Sequence, residues 1–184
     1  MNTLIAPATT TWNIDSTHSV VEFKVKHMMI SNMKGQFTTV SGTLSLDEAD
    51  LAQSSVEAAI EVTSIHTRDE NRDAHLKSED FFDAEQFPTM QLKSTHIALK
   101  PDGEMAVTGD LTIKGVTRKV VFAVEGPTPA TKDPWGNTRI GVVASTKINR
   151  KDFGLTWNAV LEAGGVMVSE DVSITMDLEF VKQA

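Results

Sequence analysis

Five histidines, His18, His27, His66, His75 and His96, are the residues best suited to proton transfer or metal ligation in this chain. Their spacing builds neither. There is no H-x-H pair and no HExxH, so no metal centre is expected. Asp15, Ser16 and His18 in "IDSTHS" are the residue types of a hydrolase triad, but they stand too close in sequence to converge as one. A turn with Asx-type hydrogen bonds explains them better. The chain has no cysteine and no G-x-S-x-G, and "EAGGVMVSE" lacks the lysine and glycine spacing of a phosphate loop. No catalytic residue is assigned. One further pattern is electrostatic. On a helix beginning in "TRDENRDAHLKSEDFFDAEQFPTM", Arg68, Arg72 and His75 share a stripe at spacings of four and three. That stripe would present positive charge at a cavity mouth. The competing reading pairs Arg68, Asp69, Arg72 and Asp73 along a solvated face.

The elements that must position these groups read almost entirely as strands. "SVVEFKVKHM" sets Val21, Phe23, Val25 and His27 on one side and Glu22, Lys24 and Lys26 on the other. "MKGQFTTVSGTLSLD" reads as one strand bent at Gly35 and Gly42. "SSVEAAIEVTSI", "TMQLKSTHIALK" (its alternation slipping near Ser94), "EMAVTGDLTIK", "KVVFAVE", "TRIGVVASTKI" and "DVSITMDLEFVK" follow, joined mostly by turn signals such as "PDG". Thr67 and Glu70 have the spacing of a capping box, which predicts a short helix over residues 68–77. A helical turn is expected near Asp152, and Gly164-Gly165 marks a flexible loop. Eight long strands in up-and-down order favour a closed antiparallel barrel, which leaves no exposed edge. A barrel of eight strands is either filled by side chains or wide enough for one slim ligand.

The bulk numbers agree with one soluble domain over residues 1–184. The net charge of -8, from 25 acids against 17 bases, repels phosphate backbones. Aromatic residues are 6% of the chain and tyrosine is absent, which also argues against a base-stacking sheet. No nucleic-acid partner is expected. No stretch approaches the ~20 apolar residues of a membrane span. "MNTLIAPATTTW" has neither a basic start nor a long apolar run, so a cytoplasmic location is expected, or a periplasmic one if a leader has been removed.

"WNIDSTHSVVEFKVKHM", "KGQFTTVSGTLSLD", "RDAHLKSEDFFD" with "FPTM", "GDLTIKGVTRKVVF" and "NRKDFGLTW", in this order, resemble the YceI-like family from about Trp12 to Phe180. The resemblance implies an extended lipocalin-like, eight-stranded barrel with a helix across one region. It also implies an apolar tunnel for a long amphiphile: a quinone, a polyprenyl phosphate or a fatty-acid derivative. A homodimer is implied, and no cofactor beyond the bound lipid.

On that reading the tunnel wall is drawn from Val21, Phe23, Val25, Phe37, Ile60, Leu111, Ile113, Ile174, Met176 and Leu178, each in phase with its strand's inward face. Phe81 and Phe82 plug or touch the contents, one of them capping the barrel, and Trp157 and Met167 gate it beside the flexible glycines. His27, Arg68, Arg72 and His75 would hold the head group. Two other readings stand beside this one. In the first, the protein is an enzyme using His18, His27 or His75 as acid or base on a lipid head group. In the second, it is a stress-related structural protein with a filled barrel.

Overall fold

The computed structural model describes residues 9–184. Twelve strands are present among the described residues: β1 (Thr9–Ile14), β2 (Val20–His27), β3 (Ser31–Phe37), β4 (Val40–Asp47), β5 (Ser55–Glu61), β6 (Ile65–His66), β7 (Thr89–Leu99), β8 (Met105–Ile113), β9 (Val116–Glu125), β10 (Thr131–Lys132), β11 (Thr138–Asn149) and β12 (Asp171–Lys182), with one α-helix, α1 (Glu70–Lys77). Their pairing reduces them to eight staves. β1 and β2 both lie on the same side of β12, one along its end and one along its start. They are one stave interrupted by the 3-10 turn Ser16–His18. β4 and β3 pair with β1 and β2 in the same way, and β5 and β6 pair with β4 and β3. β7, β8, β9, β11 and β12 complete an antiparallel ring, which closes where β12 meets β1 and β2. The result is a closed eight-stranded up-and-down barrel, as the alternation predicts.

The first three staves break at one level. The breaks fall at 15–19, at 38–39 and at the 3-10 turn Val62–Ser64, and side chains tie them together. The Val40 N–H donates to Ser16 Oγ at 3.3 Å, and the Thr39 N–H to Ser64 Oγ at 3.1 Å. This corrects the expectation of a bend at Gly35 and Gly42. Both glycines sit inside strands, where a neighbour comes too close for a side chain. A Cβ on Gly35 would stand 2.3 Å from Phe23 Cζ, and one on Gly42 would stand 2.2 Å from the Glu57 carbonyl oxygen. The slip near Ser94 is a register shift between Ser94 and His96, and Ser94 Oγ accepts the Val56 N–H there. The turn near Asp152 is a 3-10 turn, Arg150–Phe153. β1, absent from the expected strands, closes the bottom of the ring and buries Trp12.

Inward positions fill the core in strict alternation. Along β8, Met105, Val107, Leu111 and Ile113 are buried, and along β12, Met176, Leu178 and Phe180. β6 is two residues long and pairs only with β3 among its neighbours. The gap between it and β7 is occupied by α1 and the turns after it. That gap sets the place of the site.

"IDSTHS" is the Asx turn expected of it. Asp15 Oδ1 accepts from the Thr17 N–H at 3.0 Å and from Thr17 Oγ1 at 2.6 Å. Asp15, His18 and Glu179 also form the one group of three potential metal ligands among the described residues. Arg139 already satisfies it: Nη1 lies 2.6 Å from Asp15 and 2.8 Å from Glu179, and Nε 2.7 Å from Asp133. The cluster is therefore an ion-pair knot that joins β11 and β12 to the break in the first stave. Hydrogen bonds from Thr17, Arg139 and His18 hold the Asp15 carboxyl well below its usual range, and Arg139 does the same for Asp133. A carboxylate depressed in the fold stabilises it above the unfolded value of about 3.9, and that stability is lost as pH falls through the folded value. Arg139→Ala should therefore lower the thermal midpoint at pH 7. The gap from wild type should hold above about pH 4 and narrow steadily as pH falls below it, towards the depressed folded values. Thermal melts across that range check it; a pH-independent gap would refute the assignment.

Candidate functional site

A cavity of about 430 Å³ lies inside the half of the barrel that α1 covers. A smaller one of about 90 Å³ lies below it. The alternation that fills the rest of the core builds the upper cavity too. Val21, Phe23, Val25, Phe37, Ile60, Leu111, Ile113, Ile174 and Met176 all line it, as do Phe81, Phe82, Trp157 and Met167. Leu178 does not: two residues further along β12, it faces the lower cavity. Met176, Leu92 and Phe122 border both and form the partition between them.

Phe81 and Phe82 both reach the cavity, which their adjacency on a strand would forbid. They sit in turns, where successive side chains are not forced to opposite faces. Phe82 meets Phe37 edge-on at 5.6 Å, and Phe81 packs on Trp157 at 5.3 Å. His75 completes this aromatic group, edge-on to Trp157 at 4.8 Å and to Phe81 at 5.1 Å. Phe23 is held over the cavity because Gly35 opposite has no side chain. Gly35→Ala should push the Phe23 ring into the cavity. We expect a stability loss of about 1–3 kcal/mol from overpacking. Uptake of any long-chain occupant should weaken roughly tenfold, as one or two buried carbons lose their place. Chemical denaturation and a fluorescent fatty-acid titration read the two effects separately.

At the mouth the helix differs from expectation. The cap is Asp69, whose side chain accepts the Arg72 N–H at 3.0 Å, and the helix begins at Glu70. Thr67 is buried instead, its hydroxyl donated to Asp73. Arg68 has φ +67 and stands exposed before the helix. The stripe is therefore shorter than expected: Arg72 and His75 line the cavity and Arg68 does not. Arg72 spends Nε and one Nη on the Thr67 hydroxyl and carbonyl. His75 Nε2 pairs with Asp80 at 2.8 Å. His27 lines the opposite rim, where β2 forms an isolated bridge to Val168.

The residue that sequence reasoning missed is Arg150. It is 5% exposed, lines the cavity and donates to four backbone carbonyls: Ser169 at 2.9 Å, Leu155 at 2.7 Å, Trp157 at 2.8 Å and Val168 at 3.3 Å. Burial lowers its pKa, and the field of Glu170 offsets part of that. Glu170 is itself paired with Lys151 at 2.6 Å. The signal available in sequence was the arginine of "NRKDFG" beside a predicted helical turn, which spacing alone does not distinguish from a surface charge. The titratable lining is thus Lys26, His27, Arg72, His75 and Arg150. None of the chain's 25 acids borders the cavity among the described residues.

Comparison with known proteins matches this architecture. The YceI-like domain matches residues 12–180. The chain belongs to the YceI-like family. A UPF0312 protein of Staphylococcus aureus strain N315 is 37% identical over 172 residues, 93% of this YceI-like chain and 97% of that one. Among solved structures, Burkholderia cenocepacia BcnA is similar at a TM-score of 0.76 and 25% identity, over 90% of this chain and 98% of that one. A Campylobacter jejuni YceI protein gives 0.71 at 30% identity, over 88% and 91%. A Saccharophagus degradans domain described as polyisoprenoid-binding, and implicated in plant cell wall breakdown, gives 0.67 at 16% identity, over 95% and 99%. That last likeness is one of fold. No helix among the described residues of this YceI-like chain is long and apolar enough to cross a membrane.

Proposed function

We propose that this YceI-like barrel binds one long-chain amphiphile, tail inward, for storage or transport. The observation that carries the reading is an apolar bore whose only ionisable lining residues, among the described residues, are basic, in a chain of net charge -8. Volume sets the scale. A cavity of about 150 Å³ accepts benzene, roughly 25 Å³ per carbon, so about 430 Å³ accepts on the order of 17 carbons. At about 0.8 kcal/mol per buried CH₂ that burial amounts to on the order of 14 kcal/mol gross. Association and ordering offset several kcal/mol of it and leave tight binding. The rim favours a head group rich in acceptor oxygens. Phosphate or carboxylate meets both the charge and the donors, and a quinone meets the donors alone. The Saccharophagus domain described as polyisoprenoid-binding supports an isoprenoid tail.

Native mass spectrometry of protein purified from cells, followed by organic extraction, tests the proposal. We expect a stoichiometric amphiphile with a tail near the length above. A bare protein mass, with no uptake of added prenyl phosphate, fatty acid or quinone, would sink it. Acid–base chemistry on the head group is the second reading, and the His75–Asp80 pair at the rim is what favours it. His75→Gln should abolish turnover if that reading holds and leave it undetectable throughout if the barrel only binds.

A further inference from the structure

The β2–β3 hairpin ends in Met28, Met29 and Ile30, which are 38%, 58% and 79% exposed. The turn is closed by the Ile30 N–H donating to the His27 carbonyl at 3.0 Å. Both of its central residues have positive φ, 51° at Met28 and 58° at Met29. The register pairs His27 with Ser31, so the loop is three residues long, and two consecutive positive-φ positions in a hairpin turn are normally filled by Asn-Gly or its equivalents, because a side chain there is strained. The two-residue β8–β9 turn meets that preference at its second position only. The β8–β9 turn places Lys114 and Gly115 at φ 50° and 75°. At Met28–Met29 the chain accepts strain twice and displays three large apolar side chains to water. Packing does not demand it, since those side chains are exposed.

Three further observations say what the tip faces. Residues 24–34 carry Lys24, Lys26 and Lys34 and no acid, in a chain of net charge -8. All three lysines are exposed, and none enters an ion pair among the described residues. Of the acids on and beside the adjoining loop, Glu170 is answered by Lys151 and Asp171 by Lys147 at 3.9 Å, and Glu162 alone enters no ion pair among the described residues. Finally, the tip adjoins the cavity mouth. The Met28 N–H donates to the Met167 carbonyl at 2.8 Å, and both His27 and Met167 line the cavity. Val160, 85% exposed, stands on the same loop as Met167, two residues past Asn158 whose side chain is bonded to Val168.

We propose that the β2–β3 tip docks the barrel mouth on an anionic bilayer surface, with Met28, Met29 and Ile30 entering the interface and Lys24, Lys26 and Lys34 facing the head groups. Apolar insertion surrounded by lysine is the chemistry of interfacial attachment. It places the opening of the bore against the medium in which a long-chain lipid resides. The inference builds on the lipid-binding reading for its purpose, but the docking itself needs no cargo.

The experiment uses delipidated full-length protein and vesicles of phosphatidylcholine with or without phosphatidylglycerol, read by co-sedimentation. We expect binding to the anionic vesicles that weakens with salt. Replacing the tip with a relaxed polar turn (Met28→Asn, Met29→Gly and Ile30→Ser together) should reduce the partition coefficient on the order of 100-fold, the worth of one or two buried apolar side chains. The same variant should melt at the wild-type temperature or above it, because the strain is removed. Each of Lys24→Gln and Lys34→Gln should cost about fivefold at low salt. Wild-type protein that ignores anionic vesicles, or a relaxed-turn variant that binds as well as wild type, overturns the proposal. So does sedimentation showing that the tip instead holds two copies of the chain together. Uptake of a fluorescent fatty acid in detergent solution is measured in parallel. Uptake without vesicle binding sinks the docking alone, and vesicle binding without uptake sinks the carrier reading and upholds the docking.

Discussion

Arg150→Met should be among the most damaging single substitutions in this protein, lowering its stability by about 3–5 kcal/mol in urea denaturation. Methionine replaces the stem of the arginine and none of its donors. The carbonyls of Leu155, Trp157 and Ser169 then lose this donor together, while that of Val168 keeps the Asn158 amide at 2.7 Å. A buried unpaired polar group costs about 1–3 kcal/mol, less where the loop relaxes and water enters. Relaxation here has a functional consequence, since the carbonyls belong to the segment that carries Trp157 and Met167 into the cavity wall. Lipid retention should therefore fall even at temperatures where the barrel stays folded. Arg150→Lys should rescue little, because one ammonium cannot reproduce a planar fork reaching four acceptors. A variant within 1 kcal/mol of wild type would show that these carbonyls are satisfied without the guanidinium.

Met176→Ala should join the two cavities and lengthen the preferred tail by on the order of four to six carbons, about 90 Å³ of lower cavity plus the space of the lost side chain. Met176 is 3% exposed, and it borders both cavities with Leu92 and Phe122. Its truncation should also cost the lipid-free protein about 2–5 kcal/mol, towards the upper end because the new void adds to existing ones. Competition among saturated acids of graded length measures the first effect, and denaturation of delipidated protein the second. Leu178→Ala is the control. It enlarges only the lower cavity and leaves the partition standing. It should destabilise comparably without shifting the tail preference. A shift in both variants, or in neither, would show that the partition does not set the length.

The sequence alone determined the barrel and most of its lining, for one physical reason. Side chains on a strand alternate between two faces, so a closed barrel assigns every second residue to the interior. Val21, Phe23 and Val25, or Leu111 and Ile113, could be placed inward from spacing alone, before any neighbour was known. The slip at Ser94 and the Asx turn at Asp15 were equally local, written in a broken alternation and in a side chain that bonds its own backbone.

What only the tertiary structure decided depends on segments far apart in the chain. The breaks at 15–19, 38–39 and 62–64 are set by hydrogen bonds across three staves, so no single strand announced them. The helix start moved from Thr67 to Asp69 because Asp73 and Arg72 claim Thr67 for the interior, and Arg68 left the rim with it. Leu178 is in phase with Met176, yet it falls below a partition built by β7, β9 and β12 together. Arg150 becomes the brace of the mouth only where Leu155, Trp157, Val168 and Ser169 converge on it. Alternation is a property of one strand, whereas a partition, a brace and a mouth are properties of the closed ring.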